Sequence, residues 1–264
     1  MIISDTYRFA FIHIPKCAGT TVRQYLDKHD QKAIESGLKN HPEFGVFDYN
    51  HIPLHILHDF FLTEYEKVRS YYSFAILRDP FARFPSSVNM RLVLHKKQLS
   101  IHMTKKQWQK EIDEVINLLS QSRYQTFLPA DLIHFQKQIS YVYFKDNRVI
   151  DTLYTVDELA KLFADIEGKT GLSIPYDSRR KKYNASHNIY KNGLAKQIGK
   201  TADTLSRIVA KWVPQNTHGH ITNTLFVHPG ELKVFDSDYV KEFIASYYWD
   251  DIALYESITC GLGK

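Results

Sequence analysis

The sequence predicts one α/β domain in three layers, with a central, mainly parallel sheet flanked by helices. Three observations carry this expectation. The runs Arg8–Ile14 and Ser70–Leu77 are short, bulky and rich in β-branched or aromatic residues, as buried parallel strands are, and each breaks at a loop before a helical pattern begins. No stretch rich in Gly, Ser or Pro divides the 264 residues and no repeat is visible, so 1–264 is assigned to a single domain. Hydrophobic residues make up 44% and charged residues 24%, which excludes a disordered chain or a coiled-coil rod.

The elements follow in order. The first strand ends at Pro15. After Lys16-Cys17-Ala18-Gly19, the residues Thr20 and Thr21 precede Val22, Tyr25 and Leu26, whose spacing is that of an amphipathic helix. Residues 37–65, rich in His, Pro, Asn and Asp, read as loop with a helix near Leu54 to Leu62. The second strand stops at Arg78-Asp79-Pro80, where proline ends pairing and can open a helix. Lys105 to Leu119 and Asp131 to Ile139 read as helices, and Tyr141 to Phe144 and Thr152 to Val156 as short strands. Thr155-Val156-Asp157-Glu158 is a capping box before Leu159, Leu162, Phe163 and Ile166. Residues 173–201 read as loop, and Val240, Phe243, Ile244 and Tyr247 mark a closing amphipathic helix.

Lys and Arg exceed Asp and Glu by 34 to 29, a balance of +5 that suits one anionic ligand in one pocket better than a nucleic-acid surface. Only two cysteines occur, Cys17 and Cys260, without zinc spacing, so free thiols in a reducing, cytoplasmic setting are expected. The N-terminus lacks the pattern of a signal peptide, and no window is apolar enough to span a membrane.

Two segments at strand ends carry chemistry. In His13-Ile14-Pro15-Lys16-Cys17-Ala18-Gly19-Thr20-Thr21, backbone N–H groups and a helix N-terminus point at one spot, which favours an anion. Lys16 adds a charge, Gly19 permits close approach, and Thr20 and Thr21 add hydroxyls. The pattern is not GxxxxGK[ST], because Lys16 precedes the glycine, so ATP or GTP hydrolysis is disfavoured. A plain strand–turn–helix junction with a threonine cap is the competing reading. In the second segment, Arg78-Asp79-Pro80-Phe81-Ala82-Arg83-Phe84-Pro85-Ser86, the positions Arg83 and Ser86 share a helix face behind Arg78 and suit a second phosphate. Arg83 and Asp79 are expected to staple the turn as an ion pair, leaving Arg78 and Ser86 as ligand candidates.

Together these motifs resemble the sulfotransferases that use 3′-phosphoadenosine 5′-phosphosulfate (PAPS), in particular the carbohydrate branch related to heparan 2-O- and chondroitin 4-O-sulfotransferases. The resemblance implies a P-loop-like fold, a first loop (Lys16, Cys17, Ala18, Gly19, Thr20, Thr21) on the 5′-phosphosulfate, and a second (Arg78, Ser86) on the 3′-phosphate. It extends to Asn50-His51-Ile52-Pro53-Leu54, to His134-Phe135-Gln136-Lys137-Gln138, which is similar to an HxxPQ element with lysine in place of proline, to Thr155–Phe163, and to a closing Tyr-x-x-Asp helix within Tyr247–Tyr255. Residues 190–235 match nothing in it. The length suits such a domain without the membrane stem of Golgi-resident relatives.

The implied reaction is in-line transfer of a sulfuryl group to a carbohydrate hydroxyl, with Lys16 and loop N–H groups taking charge from the departing phosphate. No metal is expected, since no DxD or His/Asp cluster is visible. The resemblance makes His51 the general base among 13 histidines. His134 is second, with an alternative role in orienting Gln138; His13 reads as structural, and His55 and His58 as surface groups. His134, Gln138, Arg179 and Arg180 are acceptor-side candidates. The run Arg179-Arg180-Lys181-Lys182, with Tyr183, Asn184 and Ser186 beyond it, either closes over an anionic ligand or forms a solvated face. Cys17 is read as a backbone donor whose pKa the helix dipole lowers. Two other functions stay open: a kinase-like nucleotide phosphotransferase, which needs a Walker lysine and magnesium carboxylates, and a non-catalytic module binding polyanions or glycans, whose affinity falls steeply with salt.

Overall fold

The side chains of Phe9–Ile12 have no solvent-facing side, and the fold answers by pairing this strand, β2, on both edges. A computed structural model describes residues 1–31, 34–97, 103–177, 189–190, 226–227 and 229–260. On one edge of β2 lies β1 (Ile2–Ser4), antiparallel, with Ile2 opposite Phe11. On the other lies β5 (Tyr72–Leu77), parallel, with Phe11 opposite Phe74, and beyond it β8 (Thr152–Thr155), also parallel. The sheet order is β1-β2-β5-β8, so a mainly parallel sheet forms as expected.

Each parallel strand feeds a helix, which the periodicities also foretell. β2 leads to α1 (Gly19–Leu26), β5 to α4 (Pro80–Leu94) and β8 to α6 (Leu159–Thr170). Asp79 caps α4 by accepting from the Phe81 N–H at 3.0 Å, with Pro80 in the first turn. The box before α6 forms in half: Glu158 accepts from the Thr155 N–H at 2.8 Å, but Glu158 is itself the N-cap.

The crossover from β2 to β5 differs from the expected loop. It holds a hairpin, β3 (Leu38–His41) with β4 (Gly45–Asp48), and then α2 (Leu54–Phe60) and α3 (Leu62–Ser70). β3 is exposed along most of its length and polar, so no apolar alternation announces it. The second crossover contains α5 (Lys105–Gln121) and a small hairpin, β6 (Tyr143–Phe144) with β7 (Asn147–Arg148). The helix expected over 131–139 is absent: single 3₁₀ turns at Ile133–Phe135 and Gln138–Tyr141 flank an extended Gln136-Lys137. A short pair, β9 (Ile189–Tyr190) with β10 (Phe226–Val227), and then α7 (Asp238–Tyr247) and α8 (Trp249–Thr259) complete the described chain.

Two cores result. One surrounds the sheet and includes Phe9, Phe11, Val22, Leu26, Phe74 and Phe163; the other joins α4, α5 and α7 through Phe84, Val88, Trp108, Ile112, Phe235 and Ile244. α4 spans them. Its residues Phe84, Val88 and Leu92 enter the second core, while Arg83 reaches back to the loop after β2.

Candidate active site

The parallel strands deliver their loops to one edge of the sheet, where open α/β sheets place ligands. In the loop after β2, Lys16 (φ 64°) and Ala18 (φ 59°) both take the left-handed conformation that side-chain-bearing residues rarely adopt. Flanking Cys17, they make the kind of turn in which successive N–H groups converge on an anion. Among the described residues, none accepts a hydrogen bond from the N–H of Cys17, Ala18, Gly19 or Thr20. α1 has neither a side-chain cap nor an acidic residue in its first turn, so its positive end is uncompensated. The threonines do not cap it; Thr20 is exposed and Thr21 half-buried. Gly19 meets a need the sequence did not show: a Cβ there would lie 1.9 Å from Cδ2 of His13.

Lys16 is half-buried, and burial together with the Arg78 guanidinium lowers its pKa to about 8. Arg78 points a nitrogen at the Lys16 carbonyl, 3.3 Å away. Burial also lowers the pKa of Arg78, and among the described residues no carboxylate forms an ion pair with either cation. Two desolvated cations near an uncapped helix end are an arrangement that suits an anion.

Beneath this surface lies a buried hub that the sequence did not reveal. Arg83, 1% exposed, is not the partner of Asp79. It donates from Nε to the Pro15 carbonyl at 3.0 Å and from Nη2 to the carbonyls of His134 at 3.2 Å and Gln136 at 2.6 Å, with Asp251 3.8 Å from Nη1. Asp251 accepts from the N–H groups of Gln138 at 2.8 Å and Ile139 at 2.9 Å. Gln138 pairs with the Arg78 backbone in both directions, accepting at 3.0 Å and donating at 2.9 Å, and accepts from the Cys17 thiol at 3.2 Å. Tyr248 donates to the Phe135 carbonyl at 2.9 Å. These bonds fasten the carbonyls of 134–136 to side chains of other elements, in a segment that is not α-helical. They also show that Gln138 ties the two loops together and that no described bond joins it to His134.

Beside the loop stands a cluster of imidazoles. His51 directs Nδ1 at the His13 carbonyl, 2.9 Å away; a carbonyl only accepts, so Nδ1 carries the proton and Nε2 the lone pair. The His13 and His51 rings lie 4.4 Å apart, and those of His51 and His134 5.5 Å. Burial lowers the pKa of His51 to about 4, with the Asp48 carboxylate and the His13 carbonyl acting in the opposite sense. His13 and His134 are held well below 6.5, chiefly by burial and then by His51. His51 is thus a neutral imidazole with a free lone pair at neutral pH. Asp48, His51 and His134, all buried, place one ligand atom each within 4.8 Å of the others, so folding does assemble a His/Asp cluster where the sequence suggested none.

A model of the Sulfotransferase family matches residues 1–256. The chain belongs to the sulfotransferase family. Comparisons with curated proteins and with solved structures find no match. As a sulfotransferase, the enzyme uses a sulfonate donor and an acceptor, and the uncapped α1 with Lys16 and Arg78 suits the anionic partner.

Several expectations change in this sulfotransferase. Cys17 is buried, and burial raises its pKa to about 11, outweighing the nearby cations; the helix end does not make a thiolate of it. Ser86 is 2% exposed, and no described contact joins it to Arg78 or Lys16. His55 is half-buried with a lowered pKa, also from burial, while His58 pairs with Asp59 at 2.6 Å. Lys137 keeps φ −58° and ψ 137°, values a proline would adopt, and its ammonium pairs with Asp250 at 3.3 Å, so the departure from HxxPQ leaves the backbone unchanged. Arg179 and Arg180, with Lys181 and Lys182, lie outside the described residues, as does most of 190–235. Among the described residues no helix is long and apolar enough to cross a membrane.

Proposed function

We propose that this sulfotransferase, acting as one domain over 1–264, transfers the sulfuryl group of PAPS to a hydroxyl of a carbohydrate acceptor. The observation that carries the reading is the meeting, at one sheet edge, of N–H groups and two cations that are unpaired among the described residues with a neutral imidazole. When bound, PAPS supplies the sulfuryl group and a bisphosphate leaving group. The fit rests on charge: the loop N–H groups and Lys16 suit the 5′ side and Arg78 the 3′-phosphate.

His51 accepts the acceptor's hydroxyl proton at Nε2 and is held in the required tautomer by the His13 carbonyl. Gly19 lets the His13 ring pack close to α1, which fixes that carbonyl. Lys16 and the N–H groups offset negative charge on the departing phosphate, without reorganisation because the loop is already folded. Gln138 and Arg83 keep the two loops in register, and the acceptor side is assigned to His134, Arg179 and Arg180.

Labelled PAPS offered with a panel of polysaccharides, glycolipids and small glycosides tests the reading. Transfer to a sugar hydroxyl by the native chain, and its loss in His51→Ala by about 10²–10⁴-fold, is the expected result. Transfer restricted to non-carbohydrate hydroxyls would overturn the acceptor class, and undiminished transfer by His51→Ala would overturn the base.

A further inference from the structure

The Asp48, His51 and His134 cluster has the composition of a metal site, and no step proposed above uses Asp48. We propose that Asp48, His51 and His134 bind one divalent transition-metal ion of the zinc class, with a coordination position left open.

The ligand types are two imidazoles and one carboxylate, a set that first-row ions such as Zn²⁺ and Co²⁺ take up readily. The three are 7%, 7% and 5% exposed, so no ligand needs to be gathered from solvent. Their ligand atoms lie within 4.8 Å of one another, whereas bonds of about 2.0–2.2 Å in a tetrahedral site bring ligands nearer. The adjustment is a side-chain movement of about an ångström, with the backbone in place.

Two further observations point to a ligand. His51 gives its Nδ1 proton to the His13 carbonyl, the outer contact that metal-bound histidines ordinarily make, which leaves Nε2 for the ion. Nδ1 of His134 is buried and, among the described residues, has no hydrogen-bond partner, a costly state for a polar atom within a folded core. Asp48 supplies the negative charge: it accepts from the Asn50 N–H at 3.0 Å, lies near the N-terminal amine of Met1, and shares the cluster with the two imidazoles. Lys16 acts against the ion through its charge, as it does against protonation of His51 and His134, so binding depends most on Asp48.

One consequence rests on the reading of His51 as the base. An ion on Nε2 holds the lone pair that would take the acceptor's proton, so the metal-loaded enzyme is arrested and a chelator releases it.

The test is titration of the chelator-treated full chain with CoCl₂, read by visible absorption, and then with ZnCl₂ in competition. The expected result is one Co²⁺ per chain in a low-symmetry nitrogen and oxygen environment, displaced by Zn²⁺. Asp48→Asn and His134→Gln, checked for folding by their unfolding midpoints, weaken binding by more than about 100-fold. His58→Gln leaves it unchanged. Equal Co²⁺ binding by the native chain and both folded variants, or no binding, overturns the site. If the site binds Co²⁺ but transfer continues undiminished, the site stands and the assignment of His51 as base falls.

Discussion

The loops after β2 and β5 occupy matching places at the ends of adjacent parallel strands, yet they divide their work differently. The first keeps its donors unspent: among the described residues nothing accepts from the N–H groups of Cys17 to Thr20 and no carboxylate pairs with Lys16, and two of its residues are left-handed. The second sends one arginine out and one in. Arg78 stands beside Lys16, whereas Arg83, five residues on, is sealed in the interior and holds three carbonyls and Asp251. The labour is thus divided: on the proposed reading the first loop and Arg78 meet the anion, while Arg83 braces the first loop from within.

The comparison breaks most severely at the brace. Arg83→Ala leaves Asp251 buried without its cation and removes one donor from each of three carbonyls, and it should cost about 3–5 kcal/mol of folding stability in a denaturant titration. A native-like midpoint would show that the loops stand without it. Lys16→Ala, by contrast, removes a buried charge and should be no less stable than the native chain, yet lose about 10²–10³-fold in transfer rate. If instead stability falls and transfer survives, the roles of the two loops are reversed.

A smaller effect is expected at Gly19→Ala. The new Cβ must displace the His13 ring, an overpacking worth about 1–3 kcal/mol, and the shift passes to His51 through the carbonyl contact, so transfer should fall alongside stability. The mildest probe is pH. Lys16 is held at about 8, below its ordinary 10.5, so its charge is lost as pH rises through 8, and kcat/KM should decline there by about tenfold per unit. For stability the sign is opposite: burying the charged amine destabilises the fold below pH 8, and that cost fades as pH climbs toward 10.5. A decline that starts only near 10.5 would mean that Lys16 is not desolvated beside Arg78.

The parts of the fold visible in the sequence are those with local causes. β2, β5, α1 and α4 follow from apolar runs and from Pro80, and the two strand-end loops could be placed from them. From sequence Arg83 pairs with Asp79, because a sequence shows only neighbours, whereas its side-chain partners in the fold come from Pro15, His134, Gln136 and Asp251. The pair Tyr248 and Asp251 did carry a signal in the closing helix, yet only the fold shows both gripping 135–139. Asp48 ends a strand with no apolar alternation, so nothing in its surroundings linked it to His51. The pKa of Cys17 was misjudged for a related reason: a helix dipole is readable from position, but burial is not.

The central claim is that the two loops together form a receptor for a nucleotide carrying phosphate at both its 5′ and 3′ positions. Calorimetric titration of adenosine 3′,5′-bisphosphate and adenosine 5′-monophosphate into the native chain, Lys16→Ala and Arg78→Ala, without magnesium, measures this directly. The account predicts that the native chain prefers the bisphosphate, that Arg78→Ala abolishes the preference, and that Lys16→Ala weakens both ligands. Equal binding of the two nucleotides by the native chain, or binding only when magnesium is added, would contradict it.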